Sequence, residues 1–164
     1  MSRYNNAAIQ EASSRWLAGV FDGVPSIALT LTFKQRIGWD RLTADVAQQT
    51  LRHFLRRLNR VSRGKKFRKR RPALTVLAVR EGGCGKAHKH LHYHLQLEVP
   101  SDRSPAEFGA HCLRTWSSLD WGSDRYNRMS VSADEGWTEY LLKLRDKPNF
   151  ADAVDVMNCY WEKH

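Results

Sequence analysis

Histidine occupies alternate positions of the segment HKHLHYHLQLEVP, at His88, His90, His92 and His94. Because alternate side chains of a β-strand share a face, the four imidazoles are expected to line one face of a strand, with Gln96 and Glu98. The residues between them form an apolar, core-facing surface: Leu91, Tyr93, Leu95, Leu97 and Val99. Packing explains such a row poorly, since each buried imidazole needs a hydrogen-bond partner. Imidazole is a common ligand of divalent transition metals, so the pattern predicts a metal-binding strand.

The residue types around this strand indicate which metal it would hold. The three cysteines, Cys84, Cys112 and Cys159, have no CxxC spacing and are expected to be free thiols, which disfavours a structural zinc site. Carboxylate and amide oxygens beside the imidazoles favour Mn²⁺ or Mg²⁺ that retains some of its water. The competing interpretation is an exposed polar strand face on which the histidines are incidental.

Tyr140 and Lys143 are three residues apart and share a face if their segment is helical. A phenol is a poor nucleophile at neutral pH until nearby positive charge favours the phenolate, and Lys143 and a bound cation would both supply that charge. The same helix carries apolar residues at helical spacing, so the competing interpretation places Tyr140 in the core. Tyr140 is therefore a candidate nucleophile. Lys143 is its candidate helper, or instead pairs with Glu139 or contacts DNA.

Positive charge is concentrated in one part of the chain. Lysine and arginine number 27 against 17 acidic residues, a formal net charge of +10, and the segment Arg52 to Arg71 holds eleven of them with no acid. Release of condensed counterions would drive such a chain onto a polyanion. Charge alone does not choose among nucleic acid, a ribosome and an anionic membrane, but charge and the rest of the sequence together favour nucleic acid. The connection Val61 to Pro72 is expected to contact phosphates or to be a solvated loop. Its candidate DNA-binding residues are Arg63, Lys65, Lys66, Arg68, Lys69, Arg70 and Arg71.

Hydrophobic periodicity predicts the elements that position these residues. Strands are expected over Ser26 to Phe33, Ala73 to Arg80, His90 to Val99 and Tyr126 to Ala133. Helices are expected after N-caps at Asp40, Ser104 and Asp134, with Ser104-Pro105-Ala106-Glu107 a typical helix start. Trp39, Phe67 and Trp121 are candidates for stacking on bases, but the six tryptophans are more easily assigned to the core. The order βαββαβα predicts an α+β fold, with helices packed on an antiparallel sheet as in ferredoxin or the RNA-recognition motif.

Three segments in this order resemble the HUH endonuclease superfamily, in particular the rolling-circle replication initiators, the Rep proteins with a single catalytic tyrosine. Leu29-Thr30-Leu31-Thr32-Phe33 looks like the first motif of that superfamily. The His-hydrophobe-His strand looks like the second motif, and Tyr140-Leu141-Leu142-Lys143 looks like the third. The resemblance spans about residues 26–147 and implies that the chain, residues 1–164, is a single nicking domain.

The resemblance implies a sequence-specific, single-stranded DNA endonuclease and strand transferase, with Tyr140 forming a 5′-phosphotyrosine and Lys143 assisting. It implies a divalent cation, Mn²⁺ or Mg²⁺, held by His92. Two registers satisfy the histidine motif: His92 with His94, which is favoured, or His90 with His92. Either His90 or Glu81 is expected to complete the ligand set. The implied partners are an origin or hairpin-like DNA site and a replicative helicase acting in trans.

Three other interpretations are open. They are a non-catalytic nucleic-acid-binding module with an RNA-recognition-like sheet, a single-tyrosine transposase of the same superfamily, and a histidine-rich metalloprotein. No apolar signal core or membrane span is evident, so a cytoplasmic protein without a membrane partner is expected. No glycine-rich phosphate loop is present either, so a helicase motor is not expected within this chain.

Overall fold

The computed structural model describes residues 6–63, 73–83, 89–133, 135–142 and 153–161. Its elements in chain order are α1 (Asn6–Gly19), β1 (Ser26–Thr32), β2 (Arg36–Ile37), β3 (Asp40–Arg41), α2 (Ala44–Arg63), β4 (Val76–Glu81), β5 (His92–Glu98), α3 (Pro105–Ser117), β6 (Arg128–Ser130) and α4 (Glu135–Leu142). None of the helices in these ranges is both long enough and apolar enough to cross a membrane.

Four strands form an antiparallel sheet in the order β4-β5-β1-β6. The histidine strand β5 and the threonine-rich strand β1 are therefore its central strands. The α+β fold with a ferredoxin-like arrangement, expected from the order of elements, is confirmed. Cross-strand register places Thr30 opposite His94 and Thr32 opposite His92. Glu81, the last residue of β4, pairs with His92 from the other side.

The sheet is covered on both faces. On one face, Leu29, Tyr93 and Leu95 belong to the main core, which α2 and α3 complete with large side chains such as Phe54 and Trp116. The other face carries a smaller cluster formed by Leu17, Phe21, Leu77, Val79, Leu141 and Ala153. Val79 is the cross-strand partner of His94, so the histidines lie on this second face. The histidine row is therefore flanked by parts of α1 and α4 and by the segment at Ala153. The hydrophobic periodicity of the sequence did not predict these neighbours.

The segment 153–161 pairs with the outer edge of β4, and the sequence did not predict this pairing. The amide of Asp155 donates to the carbonyl of Ala78 (2.9 Å), and Val76 and Tyr160 exchange two backbone hydrogen bonds (2.7 and 2.9 Å). An unpaired strand edge is a template for aggregation. The C-terminal segment covers that edge.

Two local expectations need correction, and one is confirmed. Asp40 is not a helix N-cap: it lies in β3, and α2 begins at Ala44, where the Thr43 hydroxyl accepts from the Val46 amide (3.2 Å). The fourth strand is shorter than expected, spanning Arg128–Ser130. Tyr126 precedes it with a φ of 62°, which a strand does not accommodate. Ser104 does cap α3, since its hydroxyl accepts from the Glu107 amide and donates to the Glu107 carboxylate.

Candidate metal centre

Glu81, His92 and His94 bring three metal-ligating atoms together, and we call these residues the metal triad. Nε2 of His92 lies 3.2 Å from Nε2 of His94. The Oε2 atom of Glu81 lies 3.6 Å from the first nitrogen and 3.4 Å from the second. The sheet builds this triangle: His92 and His94 share a face by strand alternation, and Glu81 is opposite His92 on the neighbouring strand.

These separations match those of ligands around one cation. Atoms about 2.1 Å from a common metal lie about 3.0 Å apart at octahedral angles and about 3.4 Å apart at tetrahedral angles. Two neutral imidazoles that turn their lone pairs toward each other repel, and a cation between them removes the conflict. The metal triad could therefore hold a divalent ion.

Hydrogen bonds to the other ring nitrogens orient both imidazoles. Nδ1 of His92 lies 2.8 Å from the carbonyl oxygen of His90. A carbonyl only accepts, so Nδ1 carries a proton, and it is the neutral ring that has its lone pair on Nε2. Nδ1 of His94 lies 3.0 Å from Oγ1 of Thr30, and a His94 ring with its proton on Nδ1 would donate to that hydroxyl. Each ring is thereby held with Nε2 toward the centre of the triad.

Burial and charge shape the chemistry of the triad. His94 is only 6% exposed, and Glu81 and His92 are partly buried. The pKa of His92 is raised, chiefly by its hydrogen bond to the Glu81 carboxylate and also by the His90 carbonyl, against the lowering effect of burial. A proton therefore competes with a cation for Nε2 of His92.

Metal affinity is expected to rise with pH between about pH 6 and pH 8, because a cation must displace the proton from His92. The raised pKa keeps His92 protonated to a higher pH than a free imidazole. Affinity is thus lost as the pH falls through that raised value, by about tenfold per unit once the ring is fully protonated. Calorimetric titration with Mn²⁺ across this range checks the slope. A constant affinity would contradict the assignment of His92 as a ligand.

A pocket of about 340 Å³ opens beside the triad. Besides the triad it is lined by Thr30, Lys89, Arg128, Trp137 and Tyr140. Lys89 and Arg128 supply two cationic side chains, and Tyr140 supplies a phenol. Tyr140 is 49% exposed, and its ring centroid lies 5.9 Å from that of His94 and 5.4 Å from that of Trp137, on which it stacks. The phenol is thus reachable from solvent and close to the triad, rather than sealed in the core.

Contacts between α4 and the sheet set the position of Tyr140. The Thr138 hydroxyl donates to the buried Gln96 side chain (2.6 Å), whose amide donates in turn to Ser26 (3.0 Å). Leu141 packs into the smaller cluster beside Val79. Because Thr138 and Leu141 face the sheet, Tyr140 is carried to the side of α4 that borders the pocket. Gln96, which shares a strand face with the histidines, thus anchors α4, the helix that bears the candidate nucleophile Tyr140.

The structure brings four of the sequence-predicted site residues together: Glu81, His92, His94 and Tyr140. The His90 side chain is exposed and does not join the triad, and the residue contributes its backbone carbonyl instead. Arg63 ends α2, but its side chain is not described. Outside the described residues lie Lys143 and the basic positions Lys65, Lys66, Arg68, Lys69, Arg70 and Arg71.

Sequence reasoning missed three residues of the pocket, Lys89, Arg128 and Trp137, and the role of Thr30 as a partner of His94. The signal for Thr30 was present, since threonines alternate along β1, but only the strand register pairs Thr30 with His94. Arg128 reaches the pocket because β6 pairs with β1 and places Arg128 opposite Thr30. No local sequence pattern predicts that pairing.

Gly82, at the turn after Glu81, is expected to be essential to the triad, whereas Gly83 is not. Gly82 has a φ of +77°, and a Cβ there would collide with the backbone carbonyl of His90, the group that orients His92. A Cβ at Gly83 would meet nothing within 4 Å. Gly82→Ala should cost about 1–3 kcal/mol of unfolding free energy and weaken Mn²⁺ binding. Gly83→Ala is the matched control, expected to stay within about 0.5 kcal/mol.

Urea unfolding and Mn²⁺ titration of both glycine variants measure these effects. Equal behaviour of the two variants would show that the approach of Gly82 to His90 does not support the metal triad.

Comparison of the chain with protein-family models, curated proteins and solved structures finds no match in any of the three.

Proposed function

We propose that this protein is a metal-dependent endonuclease that nicks single-stranded DNA through a covalent bond to Tyr140. The observation that carries the proposal is that a solvent-accessible tyrosine lines the same pocket as the metal triad. Such a pair suits phosphoryl transfer, in which one group attacks phosphorus and another neutralises the phosphate. The proposal agrees with the resemblance of the three sequence motifs to single-tyrosine Rep proteins.

Tyr140 would attack a phosphodiester through Oη. The Oη–P bond forms, the bond from phosphorus to the 3′ oxygen breaks, the phenol gives up its proton and the departing 3′ oxygen gains one. The products are a 5′-phosphotyrosine and a free 3′-hydroxyl. The covalent bond conserves the phosphodiester energy, so the strand can be rejoined or transferred.

The side chains around the pocket suit a phosphate. Lys89 and Arg128 both line it, and guanidinium and ammonium groups bind phosphate oxygens by charge-assisted hydrogen bonds. A divalent ion held by Glu81, His92 and His94 would neutralise phosphate charge and align the phosphate for in-line displacement. Two imidazoles and one carboxylate accept several divalent ions, and Mn²⁺ or Mg²⁺ is proposed because the resemblance to Rep proteins implies it. Lys143 is proposed to favour the phenolate.

Charge outside the pocket supports nucleic acid as the substrate. The apolar side of α2 packs in the core, while Arg56, Arg57 and Arg60 are exposed. None of these three arginines takes part in an ion pair within the described ranges. These arginines give α2 a basic surface whose repulsion a polyanion would relieve, and the sequence continues with further basic residues after Arg63. An origin-like site in single-stranded DNA and a replicative helicase in trans are the proposed partners.

Covalent capture tests the proposal. The protein is incubated with a labelled pool of random-sequence single-stranded oligonucleotides and Mn²⁺, then denatured in detergent. A labelled adduct that survives denaturation and disappears in EDTA is expected, and mass spectrometry of its peptides should locate the DNA on Tyr140. Tight binding without adduct, indifferent to EDTA, would instead identify a non-catalytic binding module.

A further inference from the structure

A two-stranded hairpin, β2 and β3, presents an unusually exposed tryptophan. Gly38 and Trp39 form its two-residue turn, with Gly38 at a φ of +59°, the position that hairpin turns often give to glycine. Trp39 is 93% exposed, the most exposed of the large apolar side chains in the described residues. Folding alone does not explain an indole at such a tip, because it buries almost none of its apolar surface there.

The two arginines of this hairpin lie on one face, where a single anion could contact both. Arg36 and Arg41 are direct cross-strand partners, so both side chains leave the same face of the hairpin. Like charges directly opposite each other destabilise a strand pair. Neither arginine forms an ion pair with any other residue that the structure describes. An anion between them would convert this repulsion into binding.

The base of the hairpin is anchored in the main core, and the hairpin follows the strand that pairs with the histidine strand. Phe33 and Leu42, on either side of it, are buried in the main core, and the Leu42 amide donates to Gln35 (3.1 Å). β1 runs into the hairpin from Thr32, which is the cross-strand partner of His92. Trp39 is seven residues beyond Thr32, so the chain places it at most about 24 Å from that end of β1. The tip of the hairpin therefore lies close enough to the pocket for one DNA strand to reach both within a few nucleotides.

We propose that this hairpin is a second DNA contact, in which Trp39 stacks on an unpaired base and Arg36 and Arg41 bind the flanking phosphates. An indole stacks on any base whose face is free, which requires a single strand rather than a duplex. The inference rests on the proposed function for the identity of the strand as DNA. It adds a substrate contact outside the reactive pocket.

Fluorescence anisotropy with labelled single-stranded oligonucleotides, in EDTA so that no cleavage occurs, tests the contact. Trp39→Ala is expected to weaken binding about 5- to 100-fold, and Trp39→Phe to retain most of it, since stacking on one aromatic ring has that weight. Met157→Ala, another exposed apolar side chain at 69% exposure, is the matched control and should bind normally. Folding is not at risk in Trp39→Ala, because the indole contributes almost nothing to the core.

The salt dependence of binding tests the arginines. Arg36→Gln and Arg41→Gln should each lower the slope of log affinity against log salt by about 0.7, the contribution of one phosphate contact on a single strand. Arg114→Gln, an exposed arginine on α3, should leave the slope unchanged. Unaltered binding by Trp39→Ala, a preference for duplex DNA or RNA, or Trp39-dependent binding to anionic lipid vesicles in place of DNA would each overturn the inference.

Adduct formation separates this inference from the proposed function. Trp39→Ala should raise the DNA concentration needed for half-maximal Tyr140 adduct by the same factor as its loss of affinity, because the tip binds the strand without touching the reacting atoms. If the natural chain forms no adduct yet binds single strands through Trp39, the nickase proposal fails and the hairpin contact stands.

Discussion

Tyr140→Phe is expected to abolish the covalent protein–DNA adduct while leaving the affinity for single-stranded DNA within about twofold. The substitution removes only the hydroxyl, so the ring can keep its stacking on Trp137 and its edge contact with His94. Loss of the nucleophile in covalent catalysis should lower the rate by about 10⁴-fold or more. Single-turnover adduct formation with Mn²⁺, measured beside equilibrium binding in EDTA, gives both quantities.

Tyr126→Phe is the matched control for this experiment. Tyr126 is 86% exposed, more than Tyr140, but it is not among the residues that line the pocket. It should form adduct at the normal rate. If Tyr140→Phe still captures DNA and Tyr126→Phe does not, the nucleophile is misassigned. If both variants retain the adduct, another tyrosine such as Tyr160 must carry it.

The central strands were predictable because their periodicity is strong. Residues alternate in polarity along β1 and β5, and a strand with one face in the core requires that alternation. The start of α3 was predictable for a similar local reason, since Ser104 and Glu107 satisfy each other at the helix end. Such signals lie within a few residues of one another, so one sequence is enough to find them.

Elements that lack apolar alternation, or that pair with distant segments, were not predictable. The hairpin at Trp39 has two residues in each strand and no apolar alternation, so nothing in its composition distinguishes it from a loop. Asp40 was misassigned for this reason: an acid before an apolar periodic segment favours a helix N-cap, but here the acid pairs with Ile37 across the hairpin. The pairing of 153–161 with β4 joins segments more than seventy residues apart.

The residues of the candidate site also fall into two groups: those that local spacing predicts and those that only the tertiary structure brings into place. The alternation that marks β5 as a strand also puts His92 and His94 on one face, so two of the three candidate ligands follow from spacing. Whether His90 or Glu81 completes the set depends on the register between β4 and β5, and that register places Glu81 opposite His92. The distance of Tyr140 from the triad depends on the hydrogen bond from Thr138 to Gln96, which sequence reasoning did not anticipate.

His94→Gln and His92→Gln are each expected to weaken Mn²⁺ or Mg²⁺ binding by more than about 100-fold, because loss of an outer partner alone costs about 10- to 100-fold. Glutamine keeps polar volume at these partly or wholly buried positions, so the fold should survive, and thermal unfolding of the metal-free variants verifies this. Thr30→Val should show the smaller, outer-partner loss, since it removes only the hydroxyl that holds Nδ1 of His94. Calorimetric titration and metal-dependent adduct formation measure these losses.

Two histidines serve as controls and decide between the registers. His53 is exposed on α2, in the helical layer on the opposite side of the sheet, so His53→Gln should leave metal binding unchanged. His90→Ala should also bind metal nearly normally, because His90 holds His92 through a backbone carbonyl that the substitution keeps. If His90→Ala lost most of its metal affinity while His94→Gln bound metal normally, the ligand pair would be His90 with His92. Nδ1 of His92 would then have to give up its hydrogen bond to the His90 carbonyl and bind the cation. The geometry favours the opposite outcome, since the His94 imidazole is already turned with Nε2 toward Nε2 of His92 and the Glu81 carboxylate.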